Sequence, residues 1–305
     1  MTKQPKAMSL KEFQALIPDE DAAVAYFEQV RWDGEIMCPH CGMSDIQRVK
    51  SGKPMPLRCR SCREHFSVKT GTVMQSSKIG VKEWLLAMYF MTVAKKGVSS
   101  CQLARQIGIR QATAWFLCQR IREAWNQGRF ILDGEIEMDE TYIGGKEKNK
   151  HRNKKLKAGR GAVGKTPVVG LRQRKGKIYA VVSATPSKEV LHEIIDERVC
   201  PTSTLYTDEH RGYLGANVKS HVAVKHSAGE YVRGQASTNG VESFWALLKR
   251  GYHGTYHKMS VDHLPRYLNE FANRQNALSL STIDQINETL VGAVGKTLPY
   301  KELIQ

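Results

Sequence analysis

The sequence predicts a multidomain chain of mixed α+β and α/β class, and three observations lead there. A stretch rich in Cys, Gly and Pro separates two segments of helical periodicity, and residues beyond 131 alternate strand and helix patterns. The length, 305 residues, is about twice a usual domain of ~150. With 41% hydrophobic and 8% aromatic residues the chain can bury a sizeable core, which excludes wholesale disorder. It contains no run of about 18 apolar residues, so no membrane-crossing helix is expected. The polar start up to Lys11 develops no apolar stretch of the secretory kind, and a cytoplasmic location is the expectation.

Taken in order, residues 9–30 fit two short amphipathic helices, the first capped by Ser9 and carrying Phe13, Leu16 and Ile17, the second lying beyond Pro18 with Val24, Tyr26 and Phe27. Residues 32–74 read as a small β unit stapled by metal. From Val81 the residues Trp84, Leu85, Met88, Tyr89 and Met91 recur at helical spacing. Ser99 and Ser100 then offer an N-cap to a short helix bearing Leu103, Ala104 and Ile107. After Gly108 a longer helix over 111–125 buries Ala114, Leu117, Ile121 and Trp125. Short helix, Gly turn and second helix is the spacing of a helix-turn-helix.

Strands are expected over 135–139, 168–172, 177–183, 204–208 and 221–224, and helices over 188–199, 240–249 and 263–275. Three strands, helix, strand, short link, strand, helix is the order of an RNase H-like fold. The segment 144–165 interrupts the first hairpin with nine Lys or Arg and one Glu, and reads as a flexible basic insertion. The domain reading is therefore 9–76 for the N-terminal helices and zinc ribbon, 77–130 for the helix-turn-helix-like segment, 131–280 for the RNase H-like mixed sheet with flanking helices, and 281–305 for a C-terminal tail.

Charge narrows the partners. Forty-six Lys and Arg against thirty Asp and Glu leave +16, too one-sided for a casual solubility surface. Without a membrane anchor or a basic amphipathic helix, nucleic acid is the expected polyanion and no membrane partner is expected.

Seven cysteines include two tight pairs, Cys38 with Cys41 and Cys59 with Cys62, separated by seventeen residues. Two thiolates at this spacing fit adjacent corners of a zinc tetrahedron, and four close the shell. The expected Zn²⁺ is thus structural and not catalytic. Cys101, Cys118 and Cys200 read as small core residues.

Strand alternation puts Glu135, Glu137 and Asp139 on one face, with Asp139 as the strand's end, and Asp208 ends the fourth strand. If the two strands pair, both acids converge. A third acid, Glu242, shares a helix face with Lys249 seven residues on, about 10 Å away. Three converging carboxylates suit the two divalent ions, Mg²⁺ or Mn²⁺, that phosphoryl transfer on DNA uses, and a nearby lysine suits a phosphate. The plainer reading makes Asp139 and Asp208 strand-end turn residues and Asn239 with Glu242 a capped helix start.

The two cysteine pairs, the run Glu137, Met138, Asp139, Glu140, Thr141, Tyr142, Gly144, Gly145, the run Tyr206, Thr207, Asp208, and above all Thr238, Asn239, Gly240, Val241, Glu242, Ser243, Phe244, Trp245 followed by Leu247, Leu248, Lys249, Arg250, Gly251 carry a resemblance. Gly254, Tyr256, His257, Tyr267, Glu270, Phe271 and Arg274 extend it. Over residues 20–276 the chain resembles the DDE transposases of bacterial insertion sequences related to the Merlin group, which join an N-terminal zinc ribbon to an RNase H-like catalytic domain. The resemblance implies cut-and-paste transposition of double-stranded DNA in a bacterial, nucleoid-associated setting. Asp139 and Asp208 would be the first and second catalytic acids and Lys249 the associated basic residue. The third position is Asn in many members and Glu in some, so Asn239 and Glu242 both qualify. Glu242 is favoured because it precedes Lys249 by seven residues and because a carboxylate binds Mg²⁺ better than an amide. Ser237 stands where the family often has His, a departure that bears on proton transfer at that position and leaves the acids intact.

The expected activity is recognition of the element's inverted-repeat ends, metal-dependent cleavage, and attack of the freed 3′-hydroxyl on target DNA, with several copies of the chain joining in the synaptic complex. Two alternatives stand beside it: a zinc-ribbon and helix-turn-helix regulator with an inert RNase H-like domain, and a nuclease that cuts without joining.

Overall fold

The computed structural model describes residues 7–126, 128, 130–145, 147–156, 162–209, 211–224 and 237–304. The chain divides into two compact units, one made of residues 1–126 with 277–305, the other of 127–276.

The first unit begins with two helices whose starts are written in the sequence. Helix α1 (Leu10–Leu16) has the expected capping box, in which the Glu12 amide donates to Ser9 Oγ at 3.2 Å and the Ser9 amide donates to Glu12 Oε2 at 2.7 Å. Helix α2 (Glu20–Trp32) is capped by Asp19 and closes at Asp33 in the left-handed conformation. The cysteine-rich stretch folds into three short antiparallel strands, β1 (Ile46–Arg48), β2 (Leu57–Cys59) and β3 (His65–Phe66), in the order β1-β2-β3. Helix α3 (Val81–Val93) is nearly all apolar and buries Trp84, Leu85, Met88 and Met91. Its N-terminus is capped from outside: Glu20 at the start of α2 accepts the amides of Val81 (2.7 Å) and Lys82 (2.9 Å). A Cβ at Gly80 would lie 2.7 Å from Glu20 Oε2, so a larger residue there would have to displace this capping carboxylate.

Helices α4 (Ser100–Ile107) and α5 (Gln111–Ala124) flank Gly108, whose φ of +73° only glycine adopts freely. This matches the expected helix, Gly turn, helix. Two corrections arise in this unit. Cys101 is exposed on α4, not a core residue, whereas Cys118 is buried. Residues 281–305 do not trail away as a tail: α9 (Thr282–Ala293) inserts Ile286, Leu290 and Ala293 into the core formed by α1, α2, α3 and α5, and a short α10 (Tyr300–Leu303) follows. Trp125 Nε1 donates to Thr289 Oγ1 at 2.8 Å, which satisfies a buried indole from a helix over 160 residues away in sequence.

The second unit is a five-stranded sheet in the order β6-β5-β4-β7-β8, with β4 (Glu135–Ile143), β5 (Thr166–Gln173) and β6 (Ile178–Val182) antiparallel and β7 (Thr204–Thr207) and β8 (Ser220–Ala223) parallel to β4. Side chains alternate across it. Ile136, Met138, Val169 and Leu171 face α6 (Lys188–Arg198), while Val168, Ile178 and Ala180 face α7 (Asn239–Gly251) and α8 (Leu264–Asn276). Asn276 fastens α8 to the edge strand by accepting the Ile178 amide and donating to its carbonyl, at 2.7 and 3.0 Å. This is the RNase H-like arrangement expected from the element order. Within the insertion 144–165, the described residues form two 3-10 turns, Glu147–Asn149 and Arg152–Lys154; residues 146 and 157–161 lie outside the described residues. No described helix is long and apolar enough to cross a membrane.

Candidate metal centres and active site

The four paired cysteines converge as the spacing requires. All four Sγ atoms lie within 4.8 Å of one another, with Cys38 and Cys62 at 3.7 Å and Cys41 and Cys59 at 3.6 Å. A tetrahedron with Zn–S bonds of about 2.3 Å has sulfurs about 3.8 Å apart, so the cluster has the size of a Cys₄ zinc shell. The knuckles are shaped by backbone: Gly42 takes φ +76° while its amide donates to the Cys38 carbonyl, and the His40 amide donates to Cys38 Sγ at 3.4 Å. The thiols compete for ionisation. The Cys62 amide leads in drawing Cys59 down to about 7; at Cys62 the Glu64 amide is outweighed by burial and the crowding thiols, which push it up to about 12. A dication resolves this competition by stabilising all four thiolates at once. Sulfur fills every corner, so the centre suits a structural ion.

The carboxylates follow from sheet pairing. Strand β4 runs parallel to β7 with Glu135 opposite Thr204, Ile136 opposite Leu205 and Glu137 opposite Tyr206. Two steps further in the same register bring Asp139 alongside Asp208, on one face. Asp139 does not end its strand, as the sequence suggested: β4 continues to Ile143 because β5 pairs with it as far as Thr166. What ends near Asp139 is the ladder to β7. The β4–β7 ladder pairs β4 only from Glu135 to Glu137, and beyond it the carboxylates of Asp139, Glu140 and Asp208 each place an oxygen within 4.8 Å of the others. Strand alternation puts Glu140 on the opposite face from Asp139, yet its carboxylate comes within 4.8 Å of the other two.

The three acids on the Glu135 face have separate fates. Arg174 donates Nη1 to Glu135 and Nε to Glu137, each at 3.2 Å, while its guanidinium lies 4.1 Å over the Tyr206 ring. Glu137, 4% exposed, also accepts the Val241 amide at 2.9 Å. Asp139 instead accepts the indole N–H of Trp245 at 3.0 Å, and burial first, with Asp208 and Glu242 adding repulsion, pushes its carboxyl up to about 6. Behind the group, burial and then Glu140, Asp208 and Asp139 hold the buried Tyr213 phenol well above its ordinary range. The opening is therefore strongly negative and suited to a divalent cation with oxygen ligands.

Helix α7 carries the remaining expected residues. Its N-cap is Thr238, and Asn239 is the first helical residue, so the expected Asn239 cap is corrected. Thr238 makes no side-chain cap either; its hydroxyl donates to Glu242 Oε1 at 2.7 Å, and the amide of Val241 is capped by Glu137 from β4. Asn239, Glu242 and Lys249 all lie on the exposed side of α7. Glu242 is outside the 4.8 Å group of Asp139, Glu140 and Asp208, yet near enough to raise the Asp139 carboxyl. The sequence reading missed Glu140, the Trp245 donor and the Glu137 cap. The only sequence signal for them was position, next to Asp139, in the run after Glu242, and two residues before Asp139.

With this geometry in view, comparison with known proteins is decisive. Residues 131–276 match the ISXO2-like transposase domain, and residues 18–65 match the transposase zinc-ribbon domain. An uncharacterized transposase-like protein of Haemophilus influenzae is 30% identical over 118 residues, 37% of this chain and 94% of its own length. The chain belongs to the ISXO2-like transposase family. A second member of the comparison, an uncharacterized protein in transposable element ISH50 of Halobacterium salinarum, is 28% identical over 269 residues, covering 84% of this chain and 90% of that protein. The transposase-domain match spans the sheet and α6 to α8, so Asp139, Glu140, Asp208, Asn239, Glu242 and Lys249 all fall inside it. The ribbon match contains all four clustered cysteines. Among solved structures, a chain of the simian T-cell lymphotropic virus intasome in complex with PP2A regulatory subunit B56 gamma aligns over 61% of this transposase-family chain and 64% of its own, under two thirds, at 14% identity and a TM-score of 0.27.

Proposed function

We propose that this insertion-sequence transposase binds the inverted-repeat ends of its own element and catalyses Mg²⁺-dependent cleavage of a DNA strand followed by joining of the freed 3′-hydroxyl to target DNA. The observation that carries this reading is the convergence of Asp139, Glu140 and Asp208 where the β4–β7 ladder stops; Glu242 of α7 lies outside that group but near enough to raise the Asp139 carboxyl. Asp139, Asp208 and Glu242 would hold the divalent ions, with the Asn239 amide the alternative third donor. When bound, two such ions activate an attacking oxygen and stabilise a leaving one in phosphoryl transfer.

The chain's own residues do the rest. Burial first, then the neighbouring acids, raise the Asp139 carboxyl to about 6, and a bound divalent cation would offset that cost. Lys249, on the exposed side of α7, offers its ammonium to a phosphate, and the basic residues of 144–165 bring the polyanion near by counterion release. The zinc ribbon and the α4–α5 pair would recognise the repeat ends, and joining two ends calls for more than one copy of the chain.

The test incubates purified full-length protein with a DNA fragment ending in the repeats that flank its gene, plus Mg²⁺, and a circular target. Nicked and joined products together support the reading. Nicks without joining leave a nuclease, and repeat binding with neither product leaves a DNA-binding regulator.

A further inference from the structure

Among the residues packed around Asp139, one does more than packing demands. Trp245 is 4% exposed on α7, and its ring belongs to the apolar layer with Val241, Phe244 and Leu248. Any large apolar side chain would serve that layer. The indole adds one N–H, and it is aimed at Asp139 Oδ2 at 3.0 Å. The facing strand is cut to fit it. Gly170 is the direct cross-strand partner of Asp139 in β5, and a Cβ there would meet Cη2 and Cζ2 of Trp245 at 2.5 Å. Glycine inside a strand weakens it, and its φ here is not one that demands glycine, so room for the indole is the physical reason for this one.

We propose that Trp245 is a positioning residue for the carboxylate of Asp139, seated in the slot that Gly170 leaves, and that it sets how that carboxylate is presented to a divalent cation. This rests on the metal-dependent reading above. An indole nitrogen is a donor only, so it holds Asp139 solely as an acceptor, through Oδ2, while the Glu140 amide is the other donor to this carboxylate. Because Trp245 follows Glu242 by three residues, one helical turn, the same bond ties the turn bearing Glu242 to the strand bearing Asp139. Groups that orient a metal-binding carboxylate in this way typically matter 10–100-fold in metal affinity.

The experiment measures Mn²⁺ binding to the full chain by the electron paramagnetic resonance signal of free Mn²⁺, without DNA, for the native protein, Asp139→Asn and Trp245→Phe, together with melting temperature and repeat binding. The expected result is loss of the tight Mn²⁺ site in Asp139→Asn, and binding roughly 10–100-fold weaker in Trp245→Phe, with repeat binding unchanged. A purely structural role for Trp245 predicts a lowered melting temperature with native Mn²⁺ affinity, and that outcome overturns the inference. Should Trp245→Phe fail to fold, benzothienylalanine at position 245 keeps the bicyclic ring, replaces N–H by sulfur, and must show the same weakening. Native Mn²⁺ binding in Asp139→Asn would refute the metal centre itself and this inference with it. Weakening confined to position 139, with none at 245, would refute the positioning role alone.

Discussion

The two candidate metal centres of this chain are built on opposite plans. The cysteine cluster draws all four donors from 25 consecutive residues, Cys38 to Cys62, in two knuckles of one small sheet. The proposed acidic centre would draw its donors from β4, from Asp208 just past β7 and from α7, with 102 residues between Asp139 and Glu242. Sulfur packed at tetrahedral spacing leaves no position open and makes a folding element. Carboxylates gathered where a ladder stops leave an opening, and burial first, with repulsion from the neighbouring acids added, raises the Asp139 carboxyl. A local site is fixed by its motif, whereas a distributed one depends on strand register and on whatever anchors the contributing helix.

Breaking the distributed centre has the largest expected effect. Asp139→Ala and Asp208→Ala should each reduce cleavage and joining below detection while repeat binding persists, measured by gel assays of end-labelled DNA. Glu242→Ala should be similarly inactive. Asn239→Ala should keep measurable activity and, since Asn239 is not the helix cap, should change stability by no more than about 0.5 kcal/mol in thermal melts. An active Glu242→Ala with an inactive Asn239→Ala would assign the third position to the amide.

Breaking the local centre should affect the first unit and spare the second. Cys38→Ser or Cys62→Ser should lower bound zinc from one ion per chain to a small fraction, by elemental analysis, and weaken repeat binding before it affects the fold of residues 127–276. Full zinc occupancy in either variant would contradict a four-thiolate shell.

A smaller effect sharpens the contrast by loosening only the anchor of α7. Glu137 serves as cap for Val241 and partner for Arg174, so Glu137→Ala should cost about 1–3 kcal/mol by chemical denaturation, with zinc content unchanged. Smallest of all, replacing four lysines of 144–165 by Gln should weaken binding to all DNA sequences about equally and flatten the salt dependence by up to roughly 3–4 in log–log slope. Selective loss of repeat binding would instead give the segment a role in base reading.

Legibility in the sequence followed the same division. Cysteine spacing alone located the ribbon, and alternation placed Asp139 on one strand face with Glu135 and Glu137, because both depend on near neighbours; bringing Asp208 beside it depended on β4 pairing with β7. The true extent of β4 depends on β5 reaching Ile143, and the presence of Glu140 in the group depends on the β7 ladder stopping short. The Asn239 cap expectation followed a sound local rule and was displaced by Glu137 from a distant strand. The segment after 281 gave α9 no distinguishing local mark, since its place is set by packing on α2, α3 and α5.

The central claim, that the acids gathered between β4, β7 and α7 perform both cutting and joining, is tested most directly by strand transfer with a pre-cut end. A labelled repeat fragment with a free 3′-hydroxyl, a supercoiled target and Mg²⁺ should yield labelled, joined product with the native protein and none with Asp208→Ala. Joined product from Asp208→Ala, or a native protein that binds and nicks repeat DNA without ever joining it, would contradict the account.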